Sequence, residues 1–125
     1  MSEVQLGDIP ERGMARRGAD HWAVRHGEDV LTWGELADRA TRRANALAAQ
    51  GVGQGDRVVL AMPNCNFFFE LTFALWKLGA TPTVVSHRLP RAELQAILEL
   101  AEPRAVIAAS CSVVHLIFFS AINHS

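Results

Sequence analysis

His87-Arg88 is the pair in this sequence best placed to do chemistry. It follows a strand-length apolar run, Ala80–Val85, and precedes a helix opening at Pro90. Open α/β sheets hold their ligands at the carboxyl ends of parallel strands. Arginine adds a planar, permanently charged fork that matches phosphate. The competing reading is a solvated loop, or an ion pair with Glu93 at the helix start. Gly51-Val52-Gly53-Gln54-Gly55-Asp56 has the composition of a phosphate loop. Such a loop follows a strand and opens a helix, so that helix amides face the anion. These glycines instead follow a helix and precede a strand, which reads as a helix stop and tight turn. Cys111, His115 and His124 are metal-ligand types, but a structural zinc needs four ligands and C-x3-H is poor spacing, so no metal site is expected. No Ser–His–Asp elbow, HExxH or GxxxxGK[ST] occurs, and no catalytic residue is assigned. His21 and His26 are expected on a hairpin surface. Phe67-Phe68-Phe69 and Trp76 are expected in the core rather than in a ligand box.

The elements that must position Arg88 follow from pattern. Residues 9–20 suggest a short helix interrupted by Gly13 and Gly18. Trp22–His26 and Val30–Thr32 flank Gly27-Glu28-Asp29 and read as a hairpin. Thr32-Trp33-Gly34-Glu35 is a capping box, in which the threonine hydroxyl takes the amide three residues on and the glutamate reaches back. Beyond it, Leu36, Ala37, Ala40, Ala44, Leu47 and Ala48 fall on one helical stripe. Glu35–Arg39 and Asp38–Arg42 have the favoured acid-first i,i+4 order. Gly51 ends the helix.

Arg57–Met62 and Ala80–Val85 are apolar runs without polar alternation, as in strands buried on both faces. Between them, Asn66–Leu78 is a helix whose polar residues Asn66, Glu70 and Lys77 share a narrow stripe, leaving the rest largely apolar. A third helix carries Leu94, Ile97, Leu98 and Ala101 on one face and ends at Pro103. Ala105–Ala109 is a third strand. Helix and strand alternate, which predicts an α/β fold: a partial doubly wound parallel sheet with flanking helices and an N-terminal β-hairpin.

Composition narrows the function. The chain has 125 residues, half of them apolar and 20 % charged. That is enough to bury roughly two-thirds of the extended surface and excludes a disordered polypeptide. Its formal net charge of −1 gives no field toward nucleic acid or an anionic membrane. Two cysteines, Cys65 and Cys111, make no disulfide framework. The first thirteen residues lack the apolar core of a secretory signal, so the cytoplasm is the expected compartment. Residues 110–125 contain no Asp, Glu, Lys, Arg, Gly or Pro, and they show no periodicity that would tie them to the sheet. Ser110, Cys111, Ser112, His115 and Ser120 interrupt the uncharged run and no basic flank follows, so a membrane anchor is not expected.

Several segments taken together carry a family resemblance. They are Leu31-Thr32-Trp33-Gly34-Glu35-Leu36, Arg43-Ala44-Asn45-Ala46-Leu47-Ala48, Gly51-Val52 with Gly55-Asp56-Arg57-Val58, Pro63-Asn64, Leu78-Gly79-Ala80 and Glu93-Leu94. Their order and spacing resemble the N-terminal region of the AMP-forming acyl-CoA synthetases, the adenylate-forming or AMP-binding enzymes, over about residues 9–109. His87-Arg88-Leu89 followed by Glu93 most resembles members acting on aryl, fatty or steroid-type acids. The resemblance implies the start of a large N-terminal domain. It implies an enzyme that joins a carboxylic acid to ATP, releases pyrophosphate, and passes the acyl group to coenzyme A, with Mg²⁺ accompanying the ATP. It also places Arg88 near the CoA-binding surface, as a CoA phosphate contact.

The family's Ser/Thr/Gly-rich phosphate loop, its adenine-contacting motif, its ribose-binding aspartate and its C-terminal catalytic lysine have no equivalent in these residues. Residues 1–109 are therefore expected to be the N-terminal portion of an AMP-binding synthetase domain, and residues 110–125 an apolar tail foreign to it. The expectation is a truncated synthetase that binds no ATP, Mg²⁺ or CoA productively by itself. The alternative is a non-enzymatic module completed by a separate chain, its apolar Asn66–Leu78 helix marking the interface or driving self-association.

Overall fold

The computed structural model describes residues 5–86, 88–109 and 114–118. After a 3-10 turn at Leu6–Asp8, the chain forms α1 (Ile9–Arg17), β1 (Trp22–His26), β2 (Asp29–Thr32), α2 (Trp33–Ala49), β3 (Arg57–Ala61), α3 (Asn66–Lys77), β4 (Thr81–Val85), α4 (Arg91–Ala101), β5 (Ala105–Ala109) and β6 (Val114–Phe118). The first two strands pair antiparallel as a separate hairpin, with His26 opposite Asp29. The others form one sheet in the order β4-β3-β5-β6. β3 is parallel to both β4 and β5. The chain steps outward from β3 to β4, then back past β3 to β5. Right-handed crossovers therefore set α3 and α4 on opposite faces, the doubly wound arrangement expected of the alternating pattern.

The Thr32 hydroxyl accepts the Glu35 amide at 3.1 Å, and a Glu35 carboxylate oxygen accepts the Thr32 amide at 3.0 Å. Both halves of the capping box are thus formed, and two N–H groups that the first turn of α2 cannot pair internally are satisfied. Leu36, Ala37, Ala40, Ala44 and Leu47 are buried. Ala48, expected on the same stripe, is exposed. The chain reverses at Gly51, whose φ of +94° is the left-handed conformation that glycine tolerates. Val52 then fills the core position, with its amide donating to Leu47 O at 3.1 Å.

α2 and α3 pack on one face of the sheet. Val58, Leu60 and Met62 of the β3 segment and Ile107 of β5 meet Leu47, Leu71, Ala74 and Leu75 in one buried cluster. Side chains alternate along a strand, so Val59 and Val106, also buried, face the other side, toward α4. The continuous apolar runs of β3 and β5 thus come from burial on both faces.

Three features differ from expectation. α1 runs unbroken through Gly13, because that glycine is a packing device: a Cβ there would overlap the Trp33 indole. α4 carries its apolar stripe at the expected spacing, but Leu94, Ile97, Leu98 and Ala101 are only half-buried, and no residue of the helix is fully covered. Within the segment where no periodicity was found, Val114–Phe118 pairs antiparallel with β5, from Ala105 opposite Phe118 to Ala109 opposite Val114. The sheet is therefore mixed. An open strand edge presents unpaired N–H and C=O groups that must find partners. An uncharged segment free of proline can supply them through its backbone, whatever its side-chain pattern.

Candidate functional site at the carboxyl end of the sheet

Ala61 of β3 lies opposite Val85 of β4 and Ala108 of β5. The three parallel strands therefore end at one level, and the Met62–Cys65 and Ser86–Pro90 connections emerge side by side. The topological switch lies at this end too, between β3 and β5, where the strand order reverses. This is the position where open α/β sheets hold ligands. Arg88 is in this group. Its side chain is exposed, and its backbone N–H donates to Ser86 Oγ at 3.2 Å, a local turn that ends β4. No described carboxylate lies within ion-pair distance of it, so the proposed pair with Glu93 is not formed. His87 lies outside the described residues.

The neighbouring connection contributes Cys65, a buried free thiol that precedes α3, and Asn66, the first residue of that helix. Asn66 Oδ1 is buried with no hydrogen-bond partner among the described residues. On the helical wheel Asn66 belongs to the narrow polar stripe, and nothing in the sequence marks this burial.

Glu70 lies on the same polar stripe and is only 2 % exposed. Arg39 Nη1 reaches its Oε2 at 3.5 Å and Arg43 Nε its Oε1 at 3.3 Å. The Arg43 guanidinium also lies over the Phe67 ring, 4.9 Å from its centroid. The buried carboxylate thus locks α2 to α3. The sequence did carry a signal: one acid inside an otherwise apolar helix, and two arginines spaced i,i+4 on the helix before it. At the other end of α3, Lys77 Nζ donates to both carboxylate oxygens of Glu11, tying α1 to α3. These clusters are structural, since both partners of each come from the packed helices themselves.

Phe67, Phe68 and Leu78 pack against the core cluster, as a core reading requires. Phe73 and Trp76 meet edge-to-face, with centroids 5.4 Å apart. His21 stacks on Trp22 at the exposed hairpin. The Glu35 carboxyl is held below the usual carboxylate range, chiefly by the Thr32 backbone amide, then by the Thr32 hydroxyl, with a smaller contribution from the Arg39 charge.

The Gly51–Asp56 connection is a turn, as its position between helix and strand predicted. Asp56 Oδ2 accepts the Gly53 amide at 2.8 Å, and Gly55 N–H donates to Gly79 O at 3.0 Å. Those amides face protein acceptors rather than an open concavity that an anion could enter. Among the described residues no group of three or more His, Cys, Asp or Glu side chains is arranged to hold a metal ion. Cys111, His115 and His124 lie outside the described side chains. No reaction step is assigned to the described residues.

The geometry is that of an open, doubly wound α/β sheet with its candidate ligand end at the carboxyl ends of β3, β4 and β5. A family profile described as AMP-binding enzyme matches residues 11–121, and the chain belongs to that family. The matched region passes Ala109 and includes β6. Feruloyl-CoA synthase from Amycolatopsis is 42 % identical over 94 residues, covering 75 % of this chain and 19 % of that protein. The 2,3-dihydroxybenzoate-AMP ligase of Bacillus subtilis is 39 % identical over 104 residues, covering 82 % of this chain and 19 % of the ligase. The chain thus spans 19 % of the length of these curated relatives. Among solved structures, the N-terminal domain of FACL13 from Mycobacterium tuberculosis superposes with a TM-score of 0.77 at 27 % identity, covering 83 % of this chain and 26 % of that domain. Among the described residues no helix is long and apolar enough to cross a membrane.

Proposed function

We propose that these residues are the leading part of an AMP-forming acid–CoA ligase and that they do not activate a carboxylic acid alone. The observation that carries this reading is the family match over residues 11–121, set beside relatives of which the chain spans only 19 %. ATP, Mg²⁺, the acid and coenzyme A belong to the complete enzyme, with an aryl acid favoured because two relatives are named for aryl substrates. Cytoplasmic placement belongs to the same proposal. Purified chain should release no pyrophosphate in a carboxylate-dependent assay with aryl or fatty acids, ATP and Mg²⁺. Turnover above a heat-inactivated control would sink the reading.

Arg88 is proposed as a CoA phosphate contact. Its support is its place beyond β4, its exposure and its lack of an ion-pair partner among the described residues. Residues 1–109 joined to the remainder of the Amycolatopsis relative would provide a complete enzyme for the test. There Arg88→Ala should weaken CoA use by about 1.5–3 kcal/mol, one charge-assisted hydrogen bond, and leave acid-dependent pyrophosphate release unchanged. Equal loss in both would assign Arg88 a structural role.

A second reading has its own support. Val84 on the outer strand β4 is 54 % exposed, and Phe69, Phe73 and Trp76 of α3 are only half-buried. An exposed apolar margin of this kind suits a module completed by a separate chain, or one that self-associates. Co-expression with the separately encoded remainder of a relative would then restore pyrophosphate release. A monodisperse monomer that fails to complement would remove this alternative.

A further inference from the structure

An open cleft of 320 Å³ lies between α1 and the start of α2, lined by Ile9, Arg12, Gly13, Arg16, Arg17 and Trp33. It is remote in the fold from the carboxyl end of the sheet, and nothing in the proposed ligase reading uses it. Its floor is apolar: the Ile9 side chain, the bare Gly13 backbone and the half-buried Trp33 indole. Its rim is basic, with Arg12, Arg16 and Arg17 all exposed.

The charges of this rim have no ion-pair partner among the described residues, as is also true of Arg25, Arg57, Arg88, Arg91 and Arg104. Arg39, Arg42 and Arg43 on α2 each have a carboxylate within 4.0 Å, and Lys77 has Glu11. No described carboxylate lies within that distance of Arg12, Arg16 or Arg17. Glu11, next to Arg12, pairs with Lys77 instead, and Asp8 and Asp20, within four residues of the rim arginines, do not come within 4.0 Å of them. Arg12 and Arg16 are spaced i,i+4, the arrangement in which like charges repel on a helix. The helix dipole favours Arg16 and Arg17 in the last turn of α1, but it does not favour Arg12, one turn earlier.

We propose that this cleft is a binding site for a planar aromatic carboxylate, with the ring against Trp33 and the carboxylate on Arg12 and Arg16. Guanidinium groups pair with carboxylates in a bidentate, planar fashion. An indole face offers a stacking surface to an aromatic ring. A polyphosphate fits less well, since the α1 amides are used inside that helix and the first-turn amide of Trp33 donates to His21 O at 2.9 Å, whereas phosphate cradles are built from free loop or first-turn amides.

The test is ligand-observed ¹⁹F NMR on the 125-residue chain with 4-(trifluoromethyl)benzoate. The neutral 4-(trifluoromethyl)benzamide serves as the isosteric control, and inorganic phosphate as the competitor. The expected result is concentration-dependent broadening of the benzoate signal, with little effect on the amide. The double variant Arg12→Gln, Arg16→Gln, checked by circular dichroism for an unchanged fold, should weaken benzoate binding about tenfold or more, the loss of at least one charge-assisted hydrogen bond. Trp33→Phe, which keeps a ring over Gly13, should weaken it less. No binding, equal binding of the benzamide, or an undiminished affinity in the double variant would overturn the proposal. Displacement by equimolar phosphate would show an unselective anion patch and overturn it too.

Discussion

The centre of this molecule and its margin are built from similar sequence and held in different ways. At the centre, α2 and α3 bury Val58, Leu60, Leu75 and Ile107 completely, while Glu70 bridges Arg39 and Arg43. At the margin, β4 is an outer strand with Val84 half-exposed, and α4 covers none of its own residues fully, Leu100 being 86 % exposed. Both regions contain amphipathic helices of good propensity. Most helical stability in proteins comes from the apolar face that tertiary packing covers. The centre therefore rests on burial and on paired charges, whereas the margin rests on strand hydrogen bonds and a half-covered stripe. Pattern forms a helix, but only a partner surface makes it stable.

The largest expected contrast is a core truncation at the centre. Leu60→Ala should cost about 3 kcal/mol, the transfer loss plus the cavity, within the usual span for buried leucine. This would be read from the urea midpoint at unchanged slope. A cost under about 1 kcal/mol would show that the centre is no better packed than the margin.

The next contrast is within the charge cluster. Removing both cations, Arg39→Gln with Arg43→Gln, strands a buried carboxylate and should cost about 2–3 kcal/mol. Glu70→Gln leaves two half-exposed arginines that regain water and should cost about 1 kcal/mol. Equal costs would mean that Glu70 is solvated in the folded protein.

At the capping box, Thr32→Ala should cost about 1 kcal/mol. Glu35 adds a pH dependence of definite sign. Its folded carboxyl is held below the unfolded value, so its stabilisation is complete above the unfolded pKa of about 4.3. It is lost as pH falls through the lower folded value. The melting-temperature gap between the wild type and Glu35→Gln should therefore narrow from neutral to acid pH. A gap that widens would reverse the assignment.

The smallest effect is expected at the margin. Leu100→Ala should change stability by less than about 0.5 kcal/mol, as for an exposed site. In hydrogen exchange the amides of α4 should open before those of α2. Equal protection of the two helices would mean that α4 is covered by something other than its own stripe.

The sequence by itself determined the elements and their order. Thr32 and Glu35 mark a helix start through chemistry that needs only a three-residue separation along the chain. Gly51 marks its end through a backbone conformation. The apolar runs of β3 and β5 state that both faces will be covered, and the alternation with helices leaves few topologies once right-handed crossovers are required. Arg88 at the end of β4 was legible for the same reason: its position depends on where a strand stops.

Only the tertiary structure decided which polar groups would be buried, because burial is a property of the neighbour as much as of the residue. Glu70 is hydrophilic on any helical wheel, yet two arginines from α2 make the interior tolerable for it. Asn66 and Ala48 changed environment in opposite directions, one atom entering the core and one methyl leaving it. Gly13 reads as a helix breaker until the Trp33 indole occupies the space its missing Cβ leaves. The pairing of Val114–Phe118 with β5 likewise followed from an open sheet edge elsewhere in the chain. Backbone hydrogen bonding across strands carries no side-chain period that a linear reading could detect.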